Sequence, residues 1–218
     1  MSGGRTLRPA LFDVDGTLVD SMDAVAETFD RIMREEAGIV HPREYYRRFV
    51  GPPLPESFAE LGVDPGYFVG AYRRLYSARE LELGLFDGIE AMLERLHEAG
   101  VPMAIATSKR TEAAVALLER LGVARRFVAV CGADESRGRT AKHWIVGDAL
   151  EALEAAGVDS SNAVMVGDRK YDVDGAAAHG LPTVLVRWGA APEEEYALAW
   201  RTAETPGQLA DLLIGGVS

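Results

Sequence analysis

Two aspartates stand two residues apart in the stretch Asp13-Val14-Asp15-Gly16-Thr17. On an extended backbone such residues share a face, so both carboxylates are expected to converge on one point. Further along, Thr107-Ser108-Lys109 and Gly167-Asp168 each close a short apolar run, and Asp172 follows Asp168 closely. Aspartates drawn to one place repel and raise each other's proton affinity unless a cation neutralises them. A hard divalent cation with oxygen ligands answers that need, and magnesium suits a site that also handles phosphate. Taken alone, Asp172 reads equally well as a helix N-cap; the set as a whole points to a metal. Lys142 is the second pointer. At the start of a helical pattern its charge opposes the helix dipole, a cost that nearby carboxylates and a phosphate would reverse. Lys109 competes for that role, and Lys142 is preferred.

These residues matter only if something gathers them. Short apolar runs at 10–12, 103–106, 127–130, 163–166 and 183–186 lack alternation and lie between helical stretches, as strands buried on both faces do. The helical stretches fall at 89–99, 112–121, 142–156 and 172–179. In the third, Ile145, Ala149, Leu150, Leu153 and Ala156 recur at helical spacing, and Gly157 stops it. The alternation predicts an α/β fold with a doubly wound parallel sheet. Ligands of such sheets bind beyond the carboxyl ends of the strands, which is where the candidate residues stand.

Residues 21–86 interrupt this order with amphipathic helical patterns, Val25, Phe29, Ile32 and Met33 and then Tyr72, Leu75 and Tyr76, and with no evident strand. Gly51-Pro52-Pro53-Leu54-Pro55 excludes helix in the middle. The segment reads as a small inserted helical domain, with 1–20 and 87–218 forming the α/β core. Its aromatics, Tyr45, Tyr46, Phe49, Tyr67, Phe68, Tyr72 and Tyr76, are expected to fill its own core, a minority facing the cleft. Arg47 and Arg48 precede the rigid turn at Gly51 and are expected to read a substrate's leaving group.

A net charge of -11 over 218 residues argues against nucleic acid as a partner, so any phosphate site must supply its own local cations. No apolar run nears the ~20 residues that cross a bilayer. Residues 1–9 carry two arginines without the apolar stretch of a signal peptide, so a cytoplasmic monomer or homodimer is expected. The lone Cys131 follows an apolar run and reads as a buried thiol. His41, His97, His143 and His179 show no metal-ligand spacing. Arg137 and Arg139 read as solvated loop residues, and Trp188 and Gly189 as neighbours of the site.

The string DVDGTLVDS at 13–21 resembles the DxDGT motif that opens haloacid dehalogenase-type phosphatases. Thr107 closing MAIAT, Lys142, and GDRKYD at 167–172 resemble that family's second, third and fourth motifs. The helical insert falls where the family places a type I cap. FVGPPL, ATSK and GDRKYDVDGA further resemble the phosphoglycolate phosphatase-like and 5′-nucleotidase-like branch. The resemblance implies a magnesium-dependent hydrolase of small phosphorylated metabolites. Asp13 would be the nucleophile and Asp15 the acid and base. Magnesium would be held by Asp13, the Asp15 backbone carbonyl and Asp168, with Asp172 at or just behind the metal. Thr107 and Lys142 would bind the phosphoryl oxygens, with Gly16, Thr17, Ser108, Arg47 and Gly51 completing the substrate contacts. Relatives that cleave carbon–halogen bonds lack an aspartate two residues after the nucleophile, so Asp15 argues against that chemistry. A phosphomutase and a non-catalytic metal- or phosphate-binding scaffold are the alternatives.

Overall fold

The computed structural model describes residues 8–215, so the expectations for residues 1–7 lie outside it. The chain enters through β1 (Ala10–Phe12) and turns into a two-residue strand, β2 (Val19–Asp20). Helices α1 (Met22–Ile32), α2 (Arg43–Tyr46), α3 (Leu54–Glu60) and α4 (Pro65–Arg79) follow, and β3 (Gly84–Leu85) then pairs antiparallel with β2. This ladder corrects the reading of 21–86 as strandless, because two residues are too few to show a period. Next come α5 (Ile89–Glu98), β4 (Met103–Arg110), α6 (Thr111–Arg120), β5 (Ala129–Ala133) and α7 (Lys142–Ala155). The chain ends through β6 (Val164–Gly167), α8 (Lys170–Ala177), β7 (Thr183–Val186), β8 (Arg201–Ala203) and α9 (Pro206–Gly215).

Six strands form one parallel sheet in the order β5-β4-β1-β6-β7-β8, an α/β architecture wound in both directions from β1. Successive side chains leave opposite faces. Phe12, Ile105, Val166 and Val184 join one buried cluster, while Leu11, Ala104, Ala106 and Met165 join another under α7 and α8. Both faces are apolar, which is why these runs showed no alternation. The third run is displaced from its expected position. Val128 is exposed and the Phe127 ring packs edge-on against Phe12 at 6.2 Å, so sheet pairing continues along β5 to Ala133. β8 carried no apolar run because it is an edge strand that buries Ala203 alone.

The helices between β2 and β3 have a core of their own. Phe29 on α1 lies 4.8 to 6.3 Å from the rings of Tyr46, Phe49, Phe58 and Tyr72. Removing so enclosed a ring costs about 3–5 kcal/mol in typical cores. The two strands of the β2–β3 ladder are the points where this helical segment leaves and rejoins the sheet.

Candidate active site

With β4 on one side of β1 and β6 on the other, the chain departs in opposite directions from the carboxyl end of β1, leaving a crevice there. Asp13 is the first residue past β1, its N–H donating to the Val166 carbonyl at 2.9 Å. Asp168 follows β6, Thr107 lies in β4, Lys142 begins α7 and Asp172 sits in the first turn of α8. All five side chains are buried. Lys142 Nζ lies 3.0 Å from Asp13 Oδ1 and 2.7 Å from Asp172 Oδ1. Those carboxylates offset the unfavourable meeting of Lys142 with the positive end of its helix. Asp172 Oδ2 accepts from the N–H groups of Asp168 and Arg169, both at 3.1 Å, so it caps α8 as well as facing the site.

Asp168 Oδ2 accepts from the Ala190 N–H at 2.9 Å, while its Oδ1 is buried with no hydrogen-bond partner. Such an orphaned carboxylate oxygen is costly unless a cation meets it. Asp13, Asp168 and Asp172 each offer an oxygen within 4.8 Å of the others. Oxygen donors in this arrangement fit a small hard cation. Gly16 is required beside them: its φ is +79°, and a Cβ there would lie 2.3 Å from Asp168 Oδ2.

The electrostatics agree with the geometry. Burial pushes the Asp13 carboxyl up to about 6, with Lys142 opposing the rise and Asp172 adding to it. Asp168 is driven well above the carboxylate range by burial and then by the charges of Asp172 and Asp13. Burial alone would lower the affinity of Lys142 for its proton, but Asp13 and Asp172 reverse this and hold it charged.

Asp15 takes a different course. Both aspartates line one cavity, as their spacing predicts, but Asp15 lies beyond the end of β1 and keeps different partners. Asp15 Oδ2 lies 3.2 Å from Lys109 Nζ, which is also 2.8 Å from Glu80 Oε1 and 4.9 Å from the centre of the Tyr76 ring. The Tyr76 hydroxyl donates to Asp15 Oδ1 at 3.4 Å, and Tyr76 is held neutral by burial and then by the charge of Asp15. Lys109 is thus a buried bridge between the core and the helical segment. Sequence reasoning ranked Lys109 second and missed Glu80 altogether; an acidic residue far away in the chain offers no local signal.

A cavity of about 140 Å³ opens between the two units. The core supplies Asp13, Asp15, Thr107 and Ser108, and the helical segment supplies Phe49, Tyr72 and Tyr76 with the Gly51–Leu54 turn. Other expected substrate contacts stand outside the lining of this cavity. Gly16 and Thr17 are buried and do not line the cavity; the Thr17 carbonyl accepts from Trp188 Nε1 at 2.9 Å. Arg47 and Arg48 do not line it either, pairing at the surface with Asp23 at 2.8 Å and Glu60 at 2.9 Å. Both loop arginines meet Asp148, Arg139 in close contact and Arg137 at 4.0 Å. Burial pushes the Cys131 thiol up to about 11, which removes it as a nucleophile at neutral pH.

The fold and this site define a class, and comparison with known proteins agrees. Residues 10–186 match the family of haloacid dehalogenase-like hydrolases, and the chain belongs to it. It is 37% identical over 191 residues to the tyrosine-protein kinase PtkA of Mycobacterium tuberculosis; the match covers 86% of this chain and 65% of that protein's length, slightly under two thirds. It is 30% identical over 211 residues to a phosphoglycolate phosphatase of Xanthomonas campestris pv. campestris, covering 93% of this chain and 94% of the relative. The structure of a protein described as a predicted phosphatase from Clostridium acetobutylicum superposes with a TM-score of 0.85 at 30% identity, over 95% of this chain and 98% of that one. Among the described residues, no helix is long and apolar enough to cross a membrane.

Proposed function

We propose that this chain is a magnesium-dependent phosphatase of small phosphomonoesters, acting through an aspartyl-phosphate on Asp13. The observation that carries the reading is the buried set Asp13, Asp168, Asp172 and Lys142 beside a cavity that a second acid, Asp15, also faces. Binding alone needs neither a nucleophile nor a proton donor at such a place.

Lys142 holds Asp13 ionised. An Asp13 carboxylate oxygen attacks phosphorus, and the bond from phosphorus to the leaving oxygen breaks. Asp15 gives that oxygen its proton, then takes one from the water that attacks the aspartyl-phosphate, freeing inorganic phosphate and Asp13. Thr107 and Lys142 donate to the phosphoryl oxygens as their charge redistributes. Magnesium would be held by Asp13, Asp168, Asp172 and the Asp15 backbone carbonyl, and when bound would supply positive charge beside the phosphoryl group. The helical segment 21–86 serves as a cap on the core of 1–20 and 87–218.

Leaving-group preference follows from what walls the cavity. Phe49, Tyr72, Tyr76, Pro52, Pro53 and Leu54 present mostly apolar surface; of the lining cations, Lys109 is committed to Asp15 and Glu80 and Arg73 to Glu135, which leaves Arg110. A space close in size to one that accepts a single aromatic ring favours a compact leaving group. The test is magnesium-dependent phosphate release from phosphoglycolate, phenyl phosphate, sugar phosphates and nucleoside monophosphates. Release from none of them, nor from p-nitrophenyl phosphate, would reject the hydrolase reading.

The 37% identity to a protein named a tyrosine kinase favours a second reading, transfer of the phosphoryl group to an acceptor other than water. A phosphomutase is another form of it. Single turnover in ¹⁸O-water separates the two: hydrolysis labels the inorganic phosphate, whereas transfer leaves the label in water.

A further inference from the structure

Arg169 stands between the two aspartates of Gly167-Asp168-Arg169-Lys170-Tyr171-Asp172, and no step above uses it. It is only 5% exposed, as is Glu195, its partner. Nε and Nη2 of Arg169 donate in parallel to Glu195 Oε2 and Oε1, both at 3.1 Å. The remaining nitrogen, Nη1, reaches across to the helical segment and donates to the carbonyls of Arg48, at 2.9 Å, and Val50. Glu195 also accepts from the Lys170 N–H at 2.8 Å, which fixes the pair to the start of α8.

These contacts end where the cavity wall begins. Val50 is followed by the Gly51-Pro52-Pro53-Leu54 turn, and Gly51 lies against the Arg169 side chain so closely that a Cβ would fall 2.6 Å from Arg169 Cγ. At the other end, the Arg169 N–H donates to Asp172, and Asp168 is the preceding residue. One guanidinium therefore spans from the loop of candidate metal ligands to the wall that faces the leaving group. Only a planar fork with several donors can serve a carboxylate and two carbonyls together; a lysine cannot.

A buried ion pair of this kind is a poor source of stability, because desolvation offsets most of its attraction. Its value lies in placement. We propose that Arg169, locked by Glu195, is a positioning residue that sets the Val50–Leu54 wall over the phosphoryl site and so governs discrimination among leaving groups. The effect on discrimination rests on the hydrolase reading; the effect on the wall does not.

The test therefore begins with a measurement that needs no turnover, hydrogen exchange at the Val50 and Ser57 amides, which donate to the Arg47 and Pro53 carbonyls on either side of the turn. Replacing both partners, Arg169→Met with Glu195→Met, removes the lock without stranding a charge, so the variant should stay folded with a Tm near that of the parent. Exchange at these amides should then rise by roughly tenfold or more, as expected when a local opening loses about 1.4 kcal/mol of protection. Arg169→Lys keeps the ion pair but loses the fork, and should loosen the wall likewise. Gly51→Ala disturbs the same contact from the other side and should do the same. On substrates, KM for phenyl phosphate should rise relative to that for acetyl phosphate, with kcat falling less. Unchanged exchange in the folded double variant, or exchange restored to the parent level by Arg169→Lys, would overturn the proposal. Loosened amides with unchanged substrate ratios would overturn its claim on specificity. Loosened amides in a protein that hydrolyses nothing would reject the hydrolase reading and leave the positioning role supported.

Discussion

Asp13 and Asp15 line one cavity but keep different partners. The charged partners of Asp13 come from the sheet edge: Lys142 from α7, Asp172 from α8 and Asp168 after β6. Asp15 faces the cavity, and its partners Lys109, Tyr76 and Glu80 straddle the junction with the helical segment. Each aspartate has its own lysine. The inner half draws all its charged partners from the sheet and the helices that flank it. The outer half joins a core pair, Asp15 and Lys109, to Tyr76 and Glu80 of the helical segment. Under the function proposed above, phosphoryl chemistry would draw on the core alone, and proton donation by Asp15 would depend also on contacts from the helical segment.

The sharpest way to break this comparison is to remove the inner nucleophile. Asp13→Asn keeps the size and much of the hydrogen bonding of the carboxylate but is no phosphoryl acceptor. Turnover should fall by more than the about 10²–10⁴-fold typical of losing an acid–base group. Circular dichroism should show the fold retained. Phosphate release near the parental rate would remove Asp13 from its role and, with it, the distinction between the halves.

The two lysines come next. Lys142→Met strips the inner carboxylates of their cation, and breaking a buried pair in this way typically costs about 3–5 kcal/mol. Its kcat should drop by about 10²–10³, the scale of losing one donor to a developing oxyanion. Lys109→Met should be milder, roughly tenfold, since it touches the reaction only through Asp15. Thermal melts and steady-state rates on both variants check the order. A larger loss at Lys109 would mean that the junction, not the sheet edge, carries the phosphoryl group.

How much of this was legible in the sequence follows the same division. The parallel strands announced themselves because both of their faces are buried, and the inner residues could be found because each stands at a strand end or in the first turn of a helix. The outer half was not legible. Asp15 and Lys109 were in view, but nothing local ties them together, and Glu80 reaches Lys109 from 29 residues away in the chain. Arg169 lay inside a recognised motif, yet nothing local points from it to Glu195. β8 was invisible for a similar reason, since an edge strand need bury little.

A smaller effect separates metal from proton at the inner half. Asp13 binds its proton more tightly folded, at about 6, than at its ordinary 3.8, and Asp168 is shifted in the same direction. The folded state therefore holds more protons through this window, so without metal the contribution of Asp13 to stability is greatest below pH 3.8 and declines as pH rises to about 6, with Asp168 acting in the same direction. Lys142 is held charged throughout that range and does not change the sign. Magnesium competes with those protons. Its addition should raise the Tm more at pH 7.5 than at pH 5, as followed by scanning calorimetry. An increase that is equal at both, or larger at pH 5, would place the ion elsewhere.

The smallest expected effect concerns Arg47, which sequence reasoning set over the cavity and the structure sets outside it. Its guanidinium pairs with Asp23 at 2.8 Å while both side chains are half exposed or more. Exposed pairs of this kind contribute about 0–1 kcal/mol, screened further by salt. Arg47→Ala should therefore leave the ratio of kcat/KM between phosphoglycolate and phenyl phosphate within about twofold of the parent, a difference under 0.5 kcal/mol by the usual conversion. The contrast with Arg169 is instructive. Both arginines contact the stretch that leads into the Gly51 turn or flank it in sequence, but only one holds its backbone. If Arg47→Ala shifts the ratio against carboxylate-bearing substrates while Arg169→Lys does not, recognition runs through charge at the outer rim. The wall set by Arg169 would then be a passive surface, and the outer half of the site would extend further than the cavity described above.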